Sequence, residues 1–515
     1  MRYLLTAEEM KYYDENTIQR IGIPGAVLME RAALGAFETL RQMELTKPGM
    51  RALILAGCGN NGGDGLALGR LLCEAGMHVE IWILGNTERA TDSWRLQKSI
   101  LEHYSVSFCK EPSHSSYNVI IDALFGVGLS RPVAGAFAEG IALLQSLDGL
   151  KVALDLPSGI DSDSGALMGT AFRADVTVTF GFEKRGLYLY PGKEYAGEVF
   201  LIDIGISQRA FYGREPEMFC LDEDVQKLLP GREKNGNKGT FGKALLIAGS
   251  FQMAGAAILC AKATYGAGAG MVKVLTDPEN RVILQEAVPE ALLGSLTDEK
   301  QVRESLAWCD VICVGPGLGR GEDARRALKI ALTESVLPLV LDADALNLLA
   351  ESRELAEKLK AGAEGGRKII LTPHLGELMR LYNGLQLIFP ELVKKQPVSM
   401  EELCRTPWAF AEEIARNLSV IVVAKDARTA VCGKNKKICL NLSGNSGMAT
   451  AGSGDVLGGI LTALMCQGMD AYTAACHGVR LHGLAGDTAA ALHGVHGMMA
   501  GDLVEALRTF RAGED

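Results

Sequence analysis

Between Asn445 and Asp455 the chain reads NSGMATAGSGD, in which seven residues are Gly, Ala or Ser and the single acid comes last. Small residues let the backbone close on a ligand and aim several N–H groups at one point. The apolar run that follows, Val456 to Leu464, reads as a buried helix, and the positive end of a helix adds to an anion site. A carboxylate beside such a loop suits phosphoryl transfer to an alcohol. The loop holds the charge of the moving group, and Asp455 takes the alcohol proton. A flexible Gly/Ser connector is the plain alternative, but the flanking hydrophobic segments and the one fixed acid argue against it.

A second glycine-rich turn, GCGNNGGDG, runs from Gly57 to Gly65. Gly57, Gly59 and Gly62 meet the dinucleotide fingerprint G-x-G-x-x-G, a weak signal alone. The fingerprint also wants an acid roughly 20 residues on, at the end of the next strand. Trp82 stands there instead, and Glu80 lies at the strand's start. Asn60, Asn61 and Asp64 supply more polar groups than a pyrophosphate cradle needs, and Asn carbonyls beside a carboxylate can hold a hard cation. A conventional dehydrogenase therefore ranks below another nucleotide or metal site. Two further strand ends join this turn: Asp122 in IIDALFGVGLSRP (120–132), and Asp155 with Ser158 in VALDLPSGID (152–161). One strand-end Asp is usually a cap or turn former. Three polar strand ends along one sheet edge favour a site.

The second half repeats the pattern of strand followed by small-residue turn: AGSFQMAGAA (248–257), VGPGLG (314–319), LDAD (341–344), LTPHLGE (371–377) and VAKDART (423–429). Structural readings stand beside these. Gly266–Gly270 is read as a helix stop, His374 can be a turn residue, and Lys425 can be a surface charge. The run Asn237–Lys243 resembles a P-loop only loosely. His493 and His496 have a helical metal spacing but no thiol or carboxylate partners in sequence, so they are read as non-ligands.

The elements that must carry these turns alternate. Thr6 and Glu9 form a capping box that predicts a helix from Ala7 to about Arg20, and a second helix runs from Pro24 to about Met43. Apolar strands follow at 52–56, 79–84, 119–121, 152–154, 176–180 and 199–202, and a second series at 244–248, 272–275, 311–314, 339–341, 369–371 and 421–424. Buried strands alternating with helices imply a parallel sheet covered on both faces. A period-free break near 210–222 separates the series, and two domains are expected, 1–215 and 219–515. Each is an α/β, three-layer domain, the first with a Rossmann-like parallel sheet.

A chain of 515 residues is too long for one core. Its net charge of −10 carries no basic run, so neither nucleic acid nor an anionic membrane is an expected partner. The acidic N-terminus is unlike a secretory signal, no apolar run reaches membrane-span length, and the twelve scattered cysteines form no Cys-x-x-Cys pair. A cytoplasmic enzyme is expected, and a homo-oligomer of unspecified order.

GNNGGDG, IDALFGVGLSRP and LDLPSGID, with the LMERA helix ahead of them, resemble the NAD(P)H-hydrate epimerase family over about 1–210. The resemblance implies a potassium ion held by Asn61, Asp122 and Ser158. It implies hydrate contacts at Asn60, Asn61, Gly62, Gly63 and Asp64, at Gly126, Val127, Gly128, Leu129, Ser130, Arg131 and Pro132, and at Asp155. Interconverting the epimers at C6 needs an acid/base group, and Asp155 is the candidate. From about 222 to 510 the ordered turns resemble the ADP/ATP-dependent NAD(P)H-hydrate dehydratase family, within the ribokinase-like superfamily. That implies hydrate contacts at Ala256, Gly317, His374 and Asp455, and adenine nucleotide contacts at Lys425, Asp426, Ala427, Arg428, Thr429 and Gly454. Lys425 is followed by Asp426 where the family often has Gly, which puts a carboxylate near the phosphates. The implied reaction phosphorylates the C6 hydroxyl and then expels phosphate, with Asp455 as base, ADP as donor and magnesium on the phosphates. A ribokinase-like small-molecule kinase fused to a nucleotide-binding module shares the GSGD turn and stands as the alternative.

Overall fold

Short apolar strands separated by helices can pair only in parallel, because each chain return crosses the sheet through a helix. The computed structural model of the protein describes residues 1–391 and 397–510. The chain divides into two compact units, one comprising Arg2–Met218 and the other running from Phe219 and including Met1.

In the first unit seven parallel strands stand in the order Ser107–Cys109, His78–Ile83, Arg51–Ala56, Ser116–Ala123, Asp148–Leu154, Val176–Phe180, Glu198–Ile202. Burial follows the period of two along the strands. Ala52, Ile54 and Ala56 join one core cluster with Val119, Ile121, Val152 and Leu154, while Leu53, Leu55, Ile120 and Ala153 join another. Leu53 and Leu55 are fully buried, worth about 1.5–3 kcal/mol each. The chain steps outward from Arg51–Ala56 to Ser107–Cys109, then returns to the other side of Arg51–Ala56 with Ser116–Ala123. The turns after these two central strands therefore leave in opposite directions and open a crevice.

The second unit follows the same plan. Its parallel strands run in the order Leu292–Ser295, Met271–Thr276, Lys243–Ile247, Val311–Val314, Leu339–Leu341, Ile369–Leu371, Ile421–Ala424. An antiparallel hairpin, Ala430–Gly433 and Ile438–Leu440, continues from the last of them. The reversal of direction falls between Lys243–Ile247 and Val311–Val314. Helix Ser453–Cys466 is buried from Val456 to Met465 and packs on helix Ala254–Gly266. A Cβ at Gly459 would stand 2.4 Å from the Cys260 carbonyl oxygen, so this close approach requires glycine.

The Thr6–Glu9 capping box is present: Thr6 N–H donates to Glu9 at 2.8 Å and Glu9 N–H to Thr6 Oγ1 at 3.2 Å. The helix it starts, Ala7–Asn16, passes into a π-helical turn, Thr17–Ile21. Strands Ser107–Cys109 and Leu292–Ser295 carry no such signal in the sequence, because the first is mostly exposed and the second only half-buried. The loosely P-loop-like run leads into the N-terminal end of Lys243–Ile247. A Cβ at Gly242 would meet the Cys466 carbonyl oxygen at 2.3 Å, against the far end of the helix that begins with the GSGD turn. Ligands bind at the opposite strand ends, so this run is a structural turn. Among the described residues no helix is long and apolar enough to cross a membrane.

Candidate active sites

A cavity of about 1120 Å3 opens at the crevice of the first unit. Helix Asn60–Glu74 begins inside the glycine turn, with Gly59 as its N-cap. Asn60, Asn61 and Asp64 line the cavity, as do Gly126, Val127, Gly128, Leu129, Arg131 and Asp155. Gly62 and Gly63 are closely packed. A Cβ at Gly62 would lie 1.9 Å from the Gly57 carbonyl oxygen, and one at Gly63 would lie 2.7 Å from Met29. Ser130 and Pro132 are exposed.

Behind the cavity wall Asp122 is fully buried. Its Oδ1 accepts from Ser158 Oγ at 2.7 Å and from Leu124 N–H at 3.2 Å, and its Oδ2 accepts from Ser158 N–H at 2.7 Å. Burial pushes its carboxyl up to about 6, against the pull of those donors. Ser158 Oγ also accepts from Phe125 N–H at 2.9 Å. A Cβ on the next residue, Gly126, would stand 3.4 Å from Asn61 Cβ and 2.8 Å from Asp155 Oδ2. One turn, Leu124–Val127, thus ties Asn61, Asp122, Asp155 and Ser158 together. Among the described residues both polar atoms of the buried Asn61 amide have no hydrogen-bond partner, a state that costs about 1–3 kcal/mol. A neutral amide oxygen, a hydroxyl and one carboxylate fit a large monovalent cation better than magnesium, which demands tight octahedral geometry.

Asp155 ends strand Asp148–Leu154 with φ +66°. Its Oδ1 accepts from the buried Lys184 Nζ at 2.5 Å. Motif reasoning missed Lys184, and also Asp14, which lines the same cavity from the opening helix. Neither lies in a small-residue turn after an apolar run.

In the second unit Gly452, at φ +93°, caps helix Ser453–Cys466, and Asp455 falls in the first helical turn. The small-residue loop therefore does end on a helix N-terminus. Among the described residues nothing hydrogen-bonds the Asp455 carboxyl. Burial first, then the Asp342 charge, pushes it up to about 7, with Lys425 opposing. Lys425 Nζ donates to Asp342 Oδ1 at 2.8 Å and would lie 3.1 Å from a Cβ on Gly454. Burial works against the Lys425 ammonium, but Asp342, Glu377 and Asp455 outweigh it and hold it above the ordinary lysine range. It is no surface charge: it forms an ion pair beneath the GSGD turn.

His374 caps helix Leu375–Ile388. Its Nδ1 accepts from Gly376 N–H at 3.1 Å, its own N–H donates to Glu377 at 3.0 Å, and it bridges in parallel to Lys425. Burial lowers its proton affinity. A Cβ at Gly317, φ +55°, would meet Ala256 Cβ at 2.8 Å, so these two positions stand together. Asp426, Ala427, Arg428 and Thr429 form the hairpin turn before Ala430–Gly433, where Asp426 is exposed. Asp342, Asp344 and His482 escaped the sequence reading as site groups. Asp344 accepts from Gly319 N–H at 2.8 Å, and His482 Nε2 lies 2.9 Å from the Ser453 carbonyl. LDAD carries the strand-end signal, but by itself it reads only as a turn. His493 lies 3.8 Å from Asp502.

Two parallel α/β units, each with polar strand ends gathered at its point of reversal, define a two-site ligand-binding protein of enzyme type. A family model described as NAD(P)H-hydrate dehydratase matches residues 244–509, and one described as YjeF-related protein N-terminus matches 25–186. The chain is 34% identical to a bifunctional NAD(P)H-hydrate repair enzyme of Moorella thermoacetica, over 98% of this chain and 96% of that one. The same name is carried by a Coxiella burnetii protein, 34% identical over 95% of each chain, and by an Escherichia coli protein, 32% identical over 98% of this chain and 92% of that one. Among solved structures it is similar to an ADP/ATP-dependent NAD(P)H-hydrate dehydratase from Bacillus subtilis co-crystallised with ATP and Mg2+, at 28% identity and TM-score 0.45, covering 55% of this chain and 93% of that one. The chain belongs to the bifunctional NAD(P)H-hydrate repair enzyme family.

Proposed function

We propose that the first unit interconverts the R and S forms of NAD(P)H hydrate, and that the second dehydrates the S form to NAD(P)H at the expense of ADP, releasing AMP and phosphate. The observation that carries this reading is the combination, in a chain matched end to end by repair-enzyme relatives, of a buried, unpartnered Asn61 amide at the first site and an unbonded Asp455 in the first turn of a helix at the second.

At the first site the hydrate enters the cavity against Asn60–Asp64, the Gly126–Pro132 turn and Asp155. Asn61, Asp122 and Ser158 would hold a potassium ion, which supplies a fixed positive charge beside the dinucleotide. Asp155 exchanges protons with the C6 substituent. At the second site Ala256, Gly317 and His374 bound the hydrate, and Asp455 takes the C6 hydroxyl proton as the oxygen attacks the terminal phosphoryl of ADP. The N–H groups of Gly452–Gly454 face the charge on the transferred group. Phosphate then leaves from C6 far more readily than hydroxide would. Lys425–Thr429 and Gly454 contact the nucleotide, and the exposed Asp426 is screened by water. Among the described residues no three ligating side chains gather as a metal cage. Magnesium would therefore be held chiefly by the nucleotide phosphates, where it neutralises charge.

The test mixes the full-length protein with NADH hydrate of both epimers, ADP and magnesium, and follows the dihydropyridine absorbance. Complete return of both epimers supports the two-site reading. Return of only the S fraction, at a rate the protein does not alter for R, removes the epimerase. No ADP-dependent return removes the dehydratase and favours the small-molecule kinase.

A further inference from the structure

The cavity of the first unit gathers a constellation that its motifs did not combine: Asp14, Asp64, Asp155 and Lys184 all line it. The three donors of the Lys184 ammonium meet three acceptors, Asp155 Oδ1 at 2.5 Å, Phe180 O at 2.8 Å and Thr179 Oγ1 at 3.0 Å. A lysine nitrogen that donates three hydrogen bonds has no acceptor left to offer, so it is not the base. It holds one oxygen of Asp155, and among the described residues the other, Oδ2, meets only the Val127 N–H at a long 3.4 Å. The left-handed backbone at Asp155 is strained for a residue with a Cβ, and such strain is kept where side-chain placement matters.

Asp64 has the opposite surroundings. It lies one turn into helix Asn60–Glu74, and among the described residues no side chain or backbone group hydrogen-bonds it. Burial, then the charges of Asp155 and Asp14, push its carboxyl well above the ordinary range, with Lys184 the weaker opposing influence. Two carboxyl groups thus share one cavity in different surroundings, one anchored to a lysine and one unanchored beside like charges, and the second holds its proton more tightly than an ordinary carboxyl.

We propose that Asp64 is the proton donor and Asp155 the proton acceptor of the epimerisation, which proceeds by opening of the hydrated ring. This rests on the epimerase reading of the cavity. Asp155 takes the proton of the C6 hydroxyl. The oxygen pair forms the aldehyde C=O, the C6–N1 bond breaks with its pair going to N1, and N1 takes the proton of Asp64. Rotation about C5–C6 presents the other face of the aldehyde. Ring closure then returns the N1 proton to Asp64 and the Asp155 proton to oxygen, so nothing is consumed. The alternative, loss of hydroxide, would leave an iminium that sheds its C5 proton to give the dihydropyridine outright, and a nucleotide-driven second site would then have no task.

The donor must be protonated, so the rate falls as pH rises through its raised pKa. The other titratable groups lining the cavity are Glu8, Lys11 and Glu15 on the opening helix with Asp14, and Cys58, Arg89 and Arg131 in the turns. The experiment uses the full chain without ADP, resolved S-NADH hydrate, and chromatographic appearance of R, after subtraction of the uncatalysed rate. Asp64→Asn should lower kcat by about 10²–10⁴ with KM little changed, and should remove the alkaline limb of the pH profile. Asp64→Glu should keep that limb but displace it. Asp64→Asn with kcat within about threefold of wild type overturns the proposal while leaving the epimerase reading intact. If Asp64→Asn does not fold, an alkaline limb identical in wild type and Asp64→Glu overturns it. A wild-type protein that does not epimerise overturns the epimerase reading itself.

Discussion

Lys184 meets Asp155 at 2.5 Å in the first unit, and Lys425 meets Asp342 at 2.8 Å in the second. In both, a lysine, buried in the first and half-buried in the second, holds an aspartate at the end of a parallel strand, beside the point where the sheet order reverses. In the first unit the paired aspartate itself lines the cavity. In the second, Asp342 is buried and also accepts from Thr372 Oγ1 at 2.7 Å, so it is withdrawn from ligand. The group left in position to react is a third one, Asp455, whose carboxyl sits at about 7 because burial and the Asp342 charge outweigh the opposing Lys425. One device thus has two uses. A lysine can fix a reacting carboxylate, or a lysine–aspartate pair can set the field around another acid. The first suits proton exchange at carbon-bound oxygen and nitrogen. The second suits a base whose proton affinity lies near the working pH.

Removal of the reacting carboxylate should divide the two sites most sharply. Asp455→Asn is expected to lower ADP-dependent dehydration by about 10²–10⁴, leave the nucleotide Kd within a few-fold, and leave epimerisation unchanged. The wild-type dehydration rate should fall as pH drops below about 7, because the base must be ionised and its folded-state pKa is raised to that value. Rates of both reactions and the nucleotide Kd, measured on the one variant, check this. Near wild-type dehydration would move the base elsewhere.

A smaller effect tests the cation that sets the first site apart. Asp122 sits at about 6, against about 3.9 for a free carboxyl. A raised acid binds its proton more tightly when folded. The penalty for ionising it therefore grows from about pH 4, is complete above about pH 6, and reaches about 3 kcal/mol at neutral pH. Potassium beside Asp122 and Asn61 should offset part of it. Calorimetry of the full chain in potassium against tetramethylammonium should show a raised Tm at about pH 7.5, by roughly 2–4 °C per kcal/mol offset, and little difference at about pH 4. Asp122→Asn should abolish the difference and weaken epimerisation. An equal Tm in both salts at the higher pH would remove the potassium site.

How far these sites can be read from the chain depends on whether a group follows an apolar run. Asp122, Asp155 and Asp455 each adjoin one, and small residues flank them. Their positions at strand and helix ends are legible for that reason. Asp342 has the same signal, yet its role appears only when Lys425 arrives from a strand two places across the sheet. Lys184 has no periodic context at all. It lies in the two-residue strand Glu183–Lys184, held by parallel pairing with Arg2–Leu5, and long-range pairing leaves no local pattern. Asp64 shows the converse. It is conspicuous in its motif, but only the surrounding charges separate it chemically from Asp155.

The smallest expected effect concerns support of the GSGD turn, which has no counterpart at the first site. His482, on helix Ala471–Gly497, places Nε2 2.9 Å from the Ser453 carbonyl and 3.2 Å from Ser453 Oγ. Burial pushes its ring down to about 4, so it is neutral near pH 7. The carbonyl partner assigns the proton to Nε2, which donates to it. Ser453 opens the helix and neighbours both Gly452 and Gly454, so this bond steadies the N–H groups that face the transferred phosphoryl. A neutral hydrogen bond of this kind is worth about 0.5–1.5 kcal/mol. His482→Leu should therefore lower kcat/KM for dehydration roughly two- to tenfold, while His482→Gln, which keeps a donor, recovers part of it. Epimerisation should not change in either. Because the group is already neutral, neither variant should move the limb that Asp455 sets near pH 7. A shift of that limb in His482→Leu would mean that the histidine acts on the charge of Asp455 rather than on the shape of the turn.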